Sequence, residues 1–335
     1  AVAELIINEM DSGGGIITQS DLDNYSSLWR EPVIGYFKNH KIISMGPPSS
    51  GGIALVQLLY GAELLETKNY DHNSLKYINT IAEIESRVYA DRATHLGDPD
   101  FFNVPQKSLL DKDYLLYRFS EIESNIKTPS SEVKEGSFDG IESEETTHFS
   151  IVDKYGNAVA VTTTINGGYG SKVVVEGAGF LLNNEMDDFS VKPGYPNMFG
   201  LVGGEANSIE PNKRMLSSMT PTIIEKNDNL FMVVGTPGGS TIITSVFQTI
   251  LNVIDYGMGM QEAVDSKKFH HQWLPDVLAV EENTFSDELR NDLTQIGHKV
   301  MERKTLGRMD CILVREDGTL EGGADKRGDN IALGY

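Results

Sequence analysis

THFSIVDKYGNAVAVTTTIN, residues 147–166, reads as two strands folded about a turn at Asp153–Asn157. Apolar, often β-branched residues recur on both sides of a polar pentapeptide, the pattern of a half-buried hairpin. The plan repeats downstream. TPTIIEKNDNLFMVVG (220–235) breaks at Asn227-Asp228-Asn229, and CILVREDGTLEGG (311–323) turns at Asp317-Gly318, a strong hairpin signal. Helices are expected at about 240–254, 260–268 and 286–296. Hairpins followed by helices predict antiparallel sheets covered by helices, an α+β class and not a doubly wound parallel sheet.

Upstream of this block, KTPSSEVKEGSFDGIESEE (127–145) is polar, acidic and poor in large apolar residues. It reads as an exposed, flexible segment and the organisational boundary of the chain. Earlier still, residues 2–11 predict a helix ended by Gly13-Gly14-Gly15, and Thr18 with Asp21 and Leu22 marks a second helix start. VIGYFKNHKIISM (33–45) predicts a hairpin turning at Asn39-His40. PPSSGG (47–52) then launches an apolar helix from about Ile53 to Leu65. Residues 73–93 predict an amphipathic helix on the spacing of Leu75, Ile78, Ala82 and Tyr89.

Composition narrows the function. Among 335 residues, 28 Lys and Arg face 49 Asp and Glu, a formal charge of −21. Such a chain repels phosphate backbones and anionic membranes, so no nucleic-acid partner is expected. Hydrophobic residues at 39% and charged ones at 23% are those of a folded protein. The single cysteine, Cys311, excludes an internal disulfide framework, and no apolar run has the length of a membrane span. No signal peptide is visible at Ala1.

Four clusters bear chemistry. Glu145-Thr146-Thr147-His148 joins the acidic segment to the first strand. It is either a surface loop entering a sheet or a cleavage site that exposes Thr146, whose freed α-amine would serve as base to its own hydroxyl. Gly235-Thr-Pro-Gly-Gly-Ser-Thr241 lies between a strand and a helix and lacks the lysine of a phosphate-binding P-loop, leaving an oxyanion hole or a tight turn. Ser217-Ser218, outside any G-x-S-x-G elbow, fits a carboxylate binder or a plain polar loop. Asn183-Asn184-Glu185-Met186-Asp187-Asp188 gathers carboxylates and amides suited to an ammonium group, without the ligand spacing of an EF-hand. His270-His271 matches no metal motif, and neighbours on a strand face opposite ways.

Taken in order, TTHFSIVDKYGNAVAVTTTIN, LLNNEMDDFS, PNKRMLSSMTPTI, GTPGGS and FHHQWLPD resemble the small subunit of γ-glutamyltranspeptidases. MGPPSSGGI (45–53) and YADRATHLGDPDF (89–101) are similar to the later part of that family's large subunit. The resemblance covers essentially the whole chain. It implies a four-layer αββα sandwich of the N-terminal-nucleophile hydrolase type, here partial at its N-terminus. It further implies self-cleavage between Glu145 and Thr146, with 1–145 ending the large subunit and 146–335 forming the small, catalytic one.

The same resemblance implies roles. Thr146 is the expected nucleophile and base, and Thr164 the hydroxyl that supports it. Asn166, Glu185 and Asp188 are expected to hold a γ-glutamyl α-ammonium, and Ser217 and Ser218 the α-carboxylate. Gly238 and Gly239 are the expected oxyanion donors. The loop VKPGYPNMFG (191–200) is the expected lid, with Phe199 where a tyrosine is common. The family's carboxylate-binding arginine precedes this region and matches no residue of 1–335. Expected partners are γ-glutamyl compounds such as glutathione, amino-acid or peptide acceptors, and the second subunit, with no cofactor or metal. A periplasmic or extracellular parent is expected. Two alternatives stand beside this: a β-lactam acylase-like amidase on the same fold, and a non-catalytic fragment or binding module.

Overall fold

The computed structural model describes residues 1–134 and 146–334. In chain order the first part carries helices α1 (Val2–Gly13) and α2 (Gln19–Asn24), strands β1 (Val33–Phe37) and β2 (His40–Ser44), and helices α3 (Gly51–Leu64), α4 (Leu75–His95), α5 (Gln106–Leu109) and α6 (Lys112–Phe119). The second part opens with strands β3 (Thr147–Val152), β4 (Ala158–Thr163), β5 (Val174–Val175), β6 (Phe180–Leu181), β7 (Thr222–Lys226) and β8 (Asn229–Val234). It closes with α7 (Thr241–Ile254), α8 (Met260–Asp265), β9 (Phe269–His270), β10 (Leu278–Glu281), α9 (Asp287–Gln295), β11 (Val300–Arg303), β12 (Asp310–Val314) and β13 (Leu320–Ala324).

Local signals set most boundaries. Helix α1 stops where Gly14 turns left-handed, and α2 starts in a capping box between Thr18 and Asp21. Between β7 and β8 both turn residues, Asn227 and Asp228, have positive φ (51° and 60°), which matches the twist of the flanking strands. The first hairpin turns at Lys38-Asn39, one residue earlier than expected, because His40 enters the ladder opposite Phe37. Helix α3 begins at Gly51 rather than Ile53. A Cβ on Gly51 would lie 2.4 Å from Met219 O, so the chain is packed too closely there for any side chain.

Strands β1-β2-β7-β8-β12-β13 form one six-stranded antiparallel sheet. The pairing of β2 with β7, which joins the two parts of the chain, matches His40 to Lys226 and Ser44 to Thr222. Helices α3 and α8 cover one face near opposite edges, with α7 packed between them. The β3–β4 hairpin lies against β7, β8 and β12. Helix, large sheet and small sheet are thus successive layers. A third sheet, β11-β10-β9, departs from the all-antiparallel expectation: β10 and β11 run parallel because α9 supplies the crossover between them. Among the described residues, no helix is long and apolar enough to cross a membrane.

Two further expectations are corrected. Helix α4 is not amphipathic, since Tyr77 to Ala93 is buried without a break. It is enclosed by α3, α6, α9 and β9, and its polar side chains survive burial by pairing. Arg87 Nη1 meets Glu83 Oε2 at 2.7 Å, while Asp91 accepts from Arg118 Nε (3.0 Å) and Tyr114 OH (2.9 Å). The acidic segment is also not exposed throughout. Trp273 Nε1 donates to the carbonyls of Ser130 (3.1 Å) and Val133 (2.9 Å), and Asp276 accepts from Lys127 Nζ (2.6 Å) and Ser130 N (3.1 Å). Residues 135–145 of that segment lie outside the described residues.

Candidate active site

The β3–β4 register does the first piece of positioning. Thr147 pairs with Thr163, so the next step along the ladder sets Thr146 against Thr164. Thr146 Oγ1 lies 3.4 Å from Thr164 Oγ1, which also accepts from Asn166 N at 2.8 Å. Glu145, the other side of the expected scissile bond, is outside the described residues. One residue on, His148 is buried between Thr162 Oγ1 (2.8 Å) and Ser150 Oγ (3.1 Å). Burial pushes its pKa down to about 4, so it is neutral at physiological pH. Its ring fills the space where Gly235 has no side chain, with a built Cβ 2.1 Å away. The strand bearing Thr146 is thereby packed onto the root of the Gly235–Thr241 loop.

That loop ends at the N-terminus of α7, a fourteen-residue helix whose dipole favours negative charge there. Gly238 (φ 142°) and Gly239 (φ 53°) adopt conformations closed to most L-residues. No hydrogen bond within the described residues uses either glycine's N–H.

Thr146, Thr164, Asn166, Asp188, Phe199, Ser217, Ser218 and Gly239 line one cavity of about 20 Å³, room for about one water. Segments far apart in sequence therefore converge on the Thr146 hydroxyl. Glu185 and Gly238 do not line this cavity; Glu185 sits in the same 3₁₀ turn as Asp188. Burial raises the Asp188 carboxyl to about 7, against the pull of Arg92 and with a push from Glu185 and Asp187. Burial also raises Glu185. The lid is closed. Phe199 is buried, Met198 N donates to Asp187 Oδ2 (2.8 Å), and Asn197 Oδ1 accepts from Phe199 N (2.9 Å) and Leu201 N (3.1 Å).

Two residues that sequence reasoning did not single out complete the arrangement. Arg92, in YADRATH, donates from Nε to Ser50 Oγ (2.9 Å) and from Nη2 to Ser218 Oγ (3.1 Å). Gln272, in FHHQWLPD, accepts from Ser240 Oγ (2.7 Å) and donates to Phe199 O (3.0 Å). An arginine on a helix that is otherwise a core element, within a matched motif, was the available signal for the first. The histidines beside Gln272 have separate partners: His270 meets Thr244 and Gln272, His271 meets Asp276. Among the described residues no group of three His, Cys, Asp or Glu is placed to hold a metal.

A family model described as gamma-glutamyltranspeptidase matches residues 1–335. The chain is 47% identical over 335 residues to a glutathione hydrolase proenzyme of Escherichia coli (strain K12), covering all of this chain and 58% of that protein. A γ-glutamyltranspeptidase structure from Pseudomonas nitroreducens is 46% identical, with a TM-score of 0.55 over 57% of this chain and all of its own. A cephalosporin acylase structure from Bacillus halodurans covers the whole chain and 59% of its own at a TM-score of 0.79, and at 23% identity it speaks to fold alone. The fold is the αββα sandwich of the N-terminal-nucleophile hydrolases. The chain spans a little over half the length of the curated relatives it matches, and it belongs to the γ-glutamyltranspeptidase family.

Proposed function

We propose that this chain carries the catalytic machinery of a γ-glutamyl hydrolase and transferase that matures by cutting itself between Glu145 and Thr146. The observation that carries the reading is the single cavity shared by the Thr146 hydroxyl, the Asp188 carboxylate, the Ser217–Ser218 pair and Gly239. Asp188, with Glu185 and Asn166, suits an α-ammonium, and the serine hydroxyls suit an α-carboxylate. A free amino-acid head gripped at both ends leaves its γ-carbonyl to be presented to Thr146, which is catalysis by positioning.

Chemistry follows from what cleavage would create. The α-amine of a terminal Thr146 has an ordinary pKa of about 7.7–8.0 and is partly neutral near pH 7. It takes the hydroxyl proton as Oγ1 bonds to the γ-carbonyl carbon. The N–H groups of Gly238 and Gly239 hold the resulting oxyanion. Collapse breaks the amide C–N bond, the ammonium returns a proton to the leaving amine, and a γ-glutamyl ester remains on Thr146. Water releases glutamate; an amino-acid or peptide amine completes transfer.

Support for self-cleavage comes from two sides. The E. coli relative is named a proenzyme, and residues 146–335 make up 57% of this chain, the share that the whole P. nitroreducens chain covers. The mature protein is then a heterodimer of large and small subunits, exported to the periplasm or outside the cell like the enzymes it resembles. Glutathione is the leading donor, in keeping with the relatives' names. The acidic Asp188 and Glu185 weigh against a β-lactam acylase, because a dicarboxylic acyl chain without an α-amine would be repelled. The test is intact mass and activity of the full-length protein. Two pieces dividing at Thr146 and release of γ-glutamyl anilide are expected, and Thr146→Ala should abolish both.

A further inference from the structure

Arg92 is 4% exposed, yet no carboxylate of the described residues forms a salt bridge with it. Its two hydrogen bonds go to hydroxyl oxygens, Ser50 Oγ and Ser218 Oγ. A buried cation ordinarily has an anionic partner, because desolvation is otherwise uncompensated. Behind Arg92 lies the helix core; in front of it Ser218 lines the active-site cavity, which Arg92 itself does not reach.

We propose that Arg92 is the positioning residue that makes the serine pair selective for a negatively charged α-carboxylate. The proposal rests on the γ-glutamyl reading above. A hydroxyl that accepts from a guanidinium N–H has its own proton free to point elsewhere. Ser218 is held in that state by Arg92, and Ser217 by Met219 N, which donates to Ser217 Oγ at 3.1 Å. Both hydroxyls are thereby turned into donors toward the cavity. Two donors backed by a buried positive charge fit a carboxylate and oppose the N–H₂ of an amide. Asp188 acts on Arg92 through space without forming a salt bridge, and the entering carboxylate adds a second anion on the Ser218 side. This is separate from any arginine that the family places earlier in its sequence, since Arg92 acts through Ser218 and does not itself line the cavity.

The experiment compares γ-glutamyl anilide with its α-carboxamide counterpart in the full-length protein. The ratio of their kcat/KM values is the readout. Calorimetric binding of glutamate and of its α-amide gives the same ratio without turnover. Arg92→Gln should lower the preference for the carboxylate by about tenfold or more, the size of one charge-assisted contact. Arg92→Lys, which keeps the charge, should hold it within about threefold. Equal losses on both substrates, or an unchanged ratio in Arg92→Gln, would overturn the proposal and leave Arg92 as scaffold. Should Arg92→Gln not accumulate folded, Ser218→Ala decides: it removes the hydroxyl through which Arg92 acts, and a ratio equal to that of the unaltered protein sinks the idea. If the unaltered protein turns over neither anilide while the glutamate binding ratio still depends on Arg92, the γ-glutamyl reading fails and the Arg92 assignment stands.

Discussion

Phe199 rests on Gly239: a Cβ built on Gly239 would lie 2.7 Å from Phe199 Cδ1. The 191–200 loop, proposed as the lid, and the Gly235–Thr241 loop, proposed as the oxyanion loop, are one packed unit, and Gln272 ties it from behind by bonding both Phe199 O and Ser240 Oγ. A phenyl ring has no hydroxyl to fasten the lid. Closure here uses ring-on-glycine contact and a backbone tether instead.

Gly239→Ala should therefore push the lid ring and the loop apart. One misplaced oxyanion donor costs roughly 10²–10³ in kcat. Adding Phe199→Ala removes the clash, so the double variant should recover part of the loss, with the left-handed strain at φ 53° remaining. Strictly additive losses in the four-member cycle would show that lid and loop are independent.

Asp188 gives a pH dependence of opposite sign for binding and for stability. Burial raises its carboxyl to about 7, with Arg92 opposing and Glu185 and Asp187 adding to the shift. Only the ionised form pairs with an α-ammonium, so glutamate inhibition should weaken as pH falls below about 7. Inhibitor binding is the right readout, because the Thr146 amine also titrates in kinetic profiles. For stability, the folded empty site holds its proton more tightly than the unfolded chain does. That contribution is fully present below about pH 4 and is lost as pH rises toward 7. Asp188→Asn should flatten both trends, and a glutamate Ki that is level from pH 5.5 to 8 in the unaltered protein would remove Asp188 from the ammonium site.

Much of this was legible in the sequence, and the gaps have physical causes. The β3–β4 hairpin could be read because strand alternation and turn residues are local. The order of the six-stranded sheet could not, since β2 meets β7 across roughly 180 residues and nothing local encodes that partner. Helix α4 misled because Glu83, Arg87 and Asp91 look like a solvated face; they are buried and satisfied by one another and by Arg118 and Tyr114. Arg92 and Gln272 escaped notice for a related reason. Each works through a second residue, so neither leaves a motif of its own chemistry.

The Thr146–Thr164 register predicts a defect in maturation rather than in folding. Thr164→Val keeps shape and strand propensity while removing the hydroxyl 3.4 Å from Thr146 Oγ1. Losing a neutral hydrogen bond is worth about 0.5–1.5 kcal/mol, so self-cleavage should slow by roughly two- to tenfold. Intact mass against time after synthesis measures it. Cleavage at an unaltered rate in a folded variant would show that Thr164 does not support the nucleophile.

Trp273 and Asp276 hold residues 127–133, and this clamp predicts local loosening without loss of the fold. Trp273 is 2% exposed, and its indole N–H serves two carbonyls, those of Ser130 and Val133. Trp273→Phe keeps most of the apolar contact but strips both carbonyls of their donor, at a cost of about 1–3 kcal/mol. Asp276 remains as the second point of attachment. Burial alone would raise its carboxyl, but hydrogen bonds from His271, Lys127 and Ser130 hold it well below the usual carboxylate range. Its contribution to stability is present above the unfolded pKa of about 4 and is lost only as pH falls below that, so the clamp is intact at neutral pH. Cutting within 127–134 by a protease in dilute amount should quicken by about tenfold in Trp273→Phe, and further in Trp273→Phe with Asp276→Asn. The opening is sub-global, so the rate should track local stability while the main thermal transition moves by only a few degrees. Protection of 127–134 unchanged in both variants would mean that the segment is held by something other than this pair.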